Sequence, residues 1–159
     1  MSQISLSRWL KGILLGIAFC GMIIYFFLIP TLGKDLVDAN PEFAYCYQPW
    51  MIVILLSAVP CYLALYFAWL ITSEIAKDNS FSLKNAKYLK YISIIALLDS
   101  GFVFLVNLIF LLLNMNHPSI LIGCLFVEFA GVAVAVVAAA LSHLVQKAAE
   151  IQMENELTI

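Results

Sequence analysis

YLKYISIIALLDSGFVFLVNLIFLLLNMNHPSILIGCLFVEFAGVAVAVVAAALSHLV, residues 88–145, carries the reading of the fold. Two continuously apolar runs flank the turn residues Asn114-Met-Asn-His-Pro118. Each run is long enough to cross about 30 Å of hydrocarbon as a helix. The stretch predicts a transmembrane helical hairpin. Each arm holds one carboxylate, Asp99 in the first and Glu128 in the second, with no Lys or Arg at the same depth.

Composition extends this reading to the whole chain. Of 159 residues 64% are hydrophobic and 11% charged, and the mean hydropathy is +1.02. Eight basic and ten acidic side chains cannot clothe a soluble domain of this size, so apolar residues must face lipid. Hydrocarbon admits only helices or closed barrels, and the runs lack the alternation of barrel strands. The expected class is an all-α polytopic membrane protein, a four-transmembrane-helix bundle forming a single domain over residues 1–159. A net charge of −2 argues against direct nucleic-acid binding.

The spans are expected at about residues 9–29, 49–72, 88–113 and 119–145. Arg8, Lys11, Lys77, Lys84, Lys87, Lys90 and Lys147 fall on one side of them, and Lys34 alone on the other. By the positive-inside rule both termini are cytoplasmic, in a bacterial inner membrane. Arg8 and Lys11 before an apolar run resemble a signal peptide. The run reaches Ile29 without a small-residue cleavage site, so it is read as a retained helix. Cys20, Cys61 and Cys124 lie in apolar runs and are expected to be buried free thiols, although a Cys46–Cys124 bridge is left open. His117 and His143 fall on opposite sides, no metal-ligand spacing occurs, and no cofactor is expected.

In chain order, Gly12, Gly16 and Cys20 give the first span a small-residue face suited to close helix approach. Residues 31–48 read as an outer loop with Asp35, Asp38 and Glu42, closed by the interfacial aromatics Tyr45, Tyr47 and Trp50. The second span carries a stripe of Ser57, Cys61, Ala64 and Ala68, a Pro60 that should bend it, and Tyr62 and Tyr66, whose hydroxyls need partners. A carboxyl is the nearest polar candidate. Asn79-Ser-Phe-Ser82 supplies turn and N-cap residues for the third helix, with Phe81 placed to staple its start. Lys84, Lys87 and Lys90 follow at the bilayer surface, a pattern that topology and headgroup contact explain. Residues 146–159 continue the fourth helix as an amphipathic cytoplasmic tail.

Asp99 lies about 16 Å beyond Tyr88 and Glu128 about 14 Å beyond Ser119 at 1.5 Å per residue, placing both near the midplane. Glu128 shares a stripe with Cys124, Gly131, Ala135, Ala138 and Ser142, so it is expected to face the bundle. Asn107 adds a third polar group. Such residues are costly in lipid and therefore functional candidates. Three uses stay open: a proton or cation site, a dock for a basic residue of a partner helix, or a structural hydrogen bond to a carboxyl or tyrosine.

Three segments carry a family resemblance. They are Pro41-Glu-Phe-Ala-Tyr45, Phe81-Ser-Leu-Lys-Asn-Ala-Lys-Tyr-Leu-Lys90 and the ending Ala148-Ala-Glu-Ile-Gln-Met-Glu-Asn-Glu-Leu-Thr-Ile159. Through them the whole chain resembles the domain-of-unknown-function family 2975 of bacterial membrane proteins. The resemblance implies four transmembrane helices with both ends inside. It also implies a small helix-turn-helix regulator as neighbour and partner. Asp99 and Glu128 lie outside the family's pattern.

The leading expectation is a non-enzymatic regulatory or accessory membrane protein, with a homo-oligomer left open. It would bind a cytoplasmic DNA-binding regulator through Phe81, Lys84, Lys87 and Lys90 and through Glu154, Asn155, Glu156, Leu157, Thr158 and Ile159. The alternative is a small proton- or cation-coupled transporter or immunity-type exporter using Asp99 and Glu128. An enzyme would need clustered chemistry at one interface, which the sequence lacks.

Overall fold

The computed structural model describes residues 2–157. Four long helices account for nearly all of them: α1 (Gln3–Ala39), α2 (Tyr47–Ile75), α3 (Leu83–Leu112) and α4 (Pro118–Leu157). All four are long and apolar enough to cross a membrane. Each exceeds the roughly 20 residues that hydrocarbon requires, so the helix ends project beyond it.

The expected outer loop at 31–48 is largely helical. A π turn at Ile24–Leu28 precedes Pro30, and the Ile29 amide reaches the Ile24 carbonyl five residues back. Proline cannot donate and crowds the carbonyl four residues earlier. The wider turn makes room for its ring, and α1 continues to Ala39. Asn40 ends it, its side chain donating to the Leu36 carbonyl at 3.1 Å. Pro41 then opens a short 3-10 helix, Pro41–Cys46. Its aromatics brace the far hairpin turn: Tyr45 donates to the Asn114 carbonyl at 2.9 Å and Trp50 to the Met115 carbonyl at 3.1 Å. The presumed interfacial belt is thus in part a clamp.

The helices α2 and α3 end alike. Asp78 and Asn114 adopt positive φ, at 59° and 56°. In each case the next amide reaches back five residues, from Asn79 to Glu74 and from Met115 to Phe110. This closing turn satisfies carbonyls that would otherwise be orphaned. Ser82 caps α3 as expected, accepting from the Asn85 amide.

The four helices stand in a row. Among the described residues α1 packs on α2, α2 on α3 and α3 on α4, and the first and last do not touch. The α3–α4 contact is the most extensive. Large apolar side chains such as Phe26, Phe27, Phe126 and Phe129 point outward. Buried positions are mostly small or polar, among them Ser7, Thr72, Ser100, Asn107, Ala135, Ala138 and Ser142. Lipid tails are as apolar as leucine, so helix association rests on close packing and hydrogen bonds. Tyr62 donates to the Ala18 carbonyl at 2.8 Å, Ser7 to Thr72 at 2.7 Å and Ser142 to Ala86 at 2.7 Å.

Candidate functional site

The first candidate lies in the α3–α4 hairpin toward its turn. Glu128 is 7% exposed and Asn107 is 1% exposed. The Asn107 amide nitrogen lies 3.5 Å from Glu128 Oε1. Asn116, from the turn, donates to the Asn107 side-chain oxygen and is itself buried. Its own Oδ1 has no hydrogen-bond partner. The expected stripe of α4 is confirmed: Glu128, Ala135, Ala138 and Ser142 are all buried on the face toward α3.

Asp99 does not join this cluster. The register sets Glu128 opposite Asn107, about 12 Å further along α3 than Asp99. Asp99 turns instead toward α2, where Cys61 Sγ lies 3.9 Å from its Oδ2. Tyr25, in the π turn of α1, donates to the same sulfur at 3.6 Å. A phenol, a thiol and a carboxyl therefore link three helices. Tyr62 meets a backbone carbonyl and not a carboxyl, because Gly21 leaves its ring room against α1. All four cysteines are free, so the Cys46–Cys124 bridge does not form. Cys20 and Cys61 are exposed on the outer faces of their helices instead of buried, as the row arrangement leaves those faces uncovered.

A third constellation closes the lysine-rich end. Glu74 stands past the hydrocarbon portion of α2. Its carboxylate accepts from Lys84 at 3.0 Å, Asn79 at 3.1 Å and Lys77 at 3.1 Å. The ammonium of Lys84, then Asn79 and Lys77, hold this carboxyl well below the ordinary 4.5, at about 2. Beneath it Asn85, 1% exposed, donates to the carbonyls of Asn79 and Ser80. The connection between α2 and α3 is therefore a folded cap. Phe81 is 60% exposed and does not staple the helix, since the space under it is filled by Asn85 and Ala86. Lys87 and Lys90 are exposed; Lys84 serves Glu74.

A depressed carboxyl stabilises the folded loop above its ordinary range, and that contribution fades as pH falls from about 4.5 toward about 2. Amide exchange at Asn79–Asn85 should accordingly stay slow at pH 5 and quicken on further acidification. In Glu74→Gln the same amides should exchange quickly at pH 5. Equal protection in both proteins would assign the cap to its backbone turn alone.

The tail continues α4 without a break to Leu157. Ser142 is level with Ala86, and Ala149 is the last buried side chain. Ile151 and Met153 beyond it are exposed, as are Glu154 and Asn155. Thr158 and Ile159 lie outside the described residues, as do the side chains of Glu156 and Leu157.

The model of the family described as "Protein of unknown function (DUF2975)" matches residues 31–159. The chain belongs to this family. It is also 32% identical over 149 residues, 92% of each chain, to the uncharacterized membrane protein YoaS of Bacillus subtilis (strain 168). No solved structure matches it.

In this DUF2975 chain the matched region holds Glu74, Asp99, Asn107, Asn116 and Glu128, and α1 up to Pro30 lies outside it. Sequence reading singled out Asp99, Asn107 and Glu128 but passed over Glu74, Asn85, Asn116 and Tyr25. Glu74 offered one signal, an acid between an apolar run and Lys77, Lys84 and Lys87. Asn116 looked like ordinary turn chemistry.

Proposed function

We propose that this membrane protein is a non-enzymatic regulatory or accessory protein of the bacterial cytoplasmic membrane, with both termini inside, and that it holds a cytoplasmic partner at the inner surface. The observation that carries the reading is the projecting end of α4. Past Ala149 it remains helical, with Ile151, 51% exposed, and Met153 uncovered beside Glu150 and Glu154. An amphipathic helix end of this kind offers apolar anchors to a groove on another protein. The folded cap around Glu74, with Lys87 and Lys90 nearby, would provide a basic second surface. A small helix-turn-helix regulator is the partner we favour, in keeping with the family resemblance.

The transport reading needs Asp99 and Glu128 at one site. Each has partners of its own on a different face of α3, so that reading has lost its shared centre.

The test is affinity purification from native membranes in mild detergent, full-length chain against a form ending at Glu150, which keeps the buried Ala149. A small DNA-binding protein retained by the full-length chain should fall at least about tenfold with the shortened form, the scale of losing one well-packed anchor. Equal recovery of a specific partner with both forms would remove the tail from the mechanism.

A further inference from the structure

We propose that Glu128, Asn107 and Asn116 form an intramembrane site for a single monovalent alkali cation of the sodium class. The inference stands apart from the partner reading and rests on the hairpin alone.

Its basis is a mismatch between acceptors and donors. The cluster holds two carboxylate oxygens and two amide oxygens, and only the two Asn side-chain NH2 groups face them with protons. One amide bonds the other, from Asn116 to the Asn107 oxygen. The remaining contact, Asn107 to Glu128 at 3.5 Å, is longer than the roughly 2.7–3.2 Å of a well-formed N–H to oxygen bond. Asn116 Oδ1, on a residue 7% exposed, has no partner at all. A buried acceptor left unmatched costs about 1–3 kcal/mol, so the place calls for positive charge.

The chain itself does not supply it. On α3 the nearest lysine is Lys90, about 26 Å from Asn107 along the axis, and on α4 it is Lys147, about 28 Å from Glu128. His117, in the turn, sets its ring edge-on to Phe43. The missing charge must therefore come from outside.

Donor chemistry and charge define the class. Carboxylate and amide oxygens are hard ligands that suit alkali and alkaline-earth ions, not the softer metals. One carboxylate balances one monovalent ion. A divalent ion would leave a net positive charge in a medium where desolvation is severe, and sites for such ions gather further carboxylates. Gly131 and Ser100, one turn deeper, bring the two helices close and seal the cluster from that side.

The experiment uses the full-length chain in lipid nanodiscs. Thermal unfolding is followed in sodium chloride and in choline chloride at equal ionic strength, from pH 6 to pH 8. Saturable sodium should raise the midpoint by roughly 5 °C over choline. Glu128→Gln and Asn116→Leu should abolish the difference, and Asp99→Asn should keep it. Should Glu128→Gln fail to fold, binding of radioactive sodium to the unaltered chain, displaced by lithium and not by choline, decides alone. Equal midpoints in both salts with no saturable sodium would overturn the proposal. So would a midpoint that answers to pH only, which would make the occupant a proton.

Discussion

Replacing Asn107 by alanine is expected to destabilise the α3–α4 hairpin by about 2–4 kcal/mol. A single interhelical hydrogen bond in a membrane is worth about 0.6 kcal/mol on average, with a ceiling near 2. Asn107 is more than one bond. Its nitrogen faces Glu128, its side-chain oxygen accepts from Asn116, and both partners are buried. Truncation strands both groups where neither water nor lipid can satisfy them, and that penalty exceeds the bond itself. Tyr62→Phe provides the scale, since it removes one bond to the Ala18 carbonyl and strands a single acceptor. Reversible unfolding in mixed micelles, read by circular dichroism, should rank Asn107→Ala well above Tyr62→Phe. Equal costs would show that the cluster is three separate polar groups and not a unit.

Gly131→Leu is expected to cost about 2–3 kcal/mol by wedging α3 from α4. A Cβ built at Gly131 would fall on the Ser100 hydroxyl, which is already engaged with the Ala96 carbonyl at 2.9 Å. Ser100 is itself buried, so it has little room to yield. Gly131→Ala should be milder, and Ser100→Gly should rescue it by returning the lost volume. Gly123, on the same helix, has nothing within 4 Å of its would-be Cβ. Gly123→Ala should thus fall within about 0.5 kcal/mol of the unaltered chain. The same unfolding assay gives all four values. A Gly131→Leu protein as stable as Gly123→Ala would mean that the helices meet elsewhere.

Some of this was legible in the residues alone. Continuous apolar runs can only be spans, because backbone groups in hydrocarbon must pair within their own segment. The small-residue stripe through Glu128 marked the buried face of α4, since only small side chains permit close helix approach. Ser82 before Leu83-Lys-Asn announced the start of α3.

Other features needed the fold. A helix as apolar as α3 carries no amphipathic signal to say which side meets which neighbour. At about 100° per residue, Ser100 and Asn107 fall nearly in line while Asp99 is turned away by about 80–100°. That rotation sends one face to α4 and the next to α2, and it parts the two acids that depth alone had placed together. The row of helices likewise left Cys20 and Cys61 uncovered, which no span count could reveal. The carboxylate of Glu74 reaches Lys84 only because Asp78 reverses the chain with a positive φ. Local pattern and solvent thus determined where this protein crosses the membrane. Helix register and neighbour order, properties of the packed chain, decided which polar groups meet inside it.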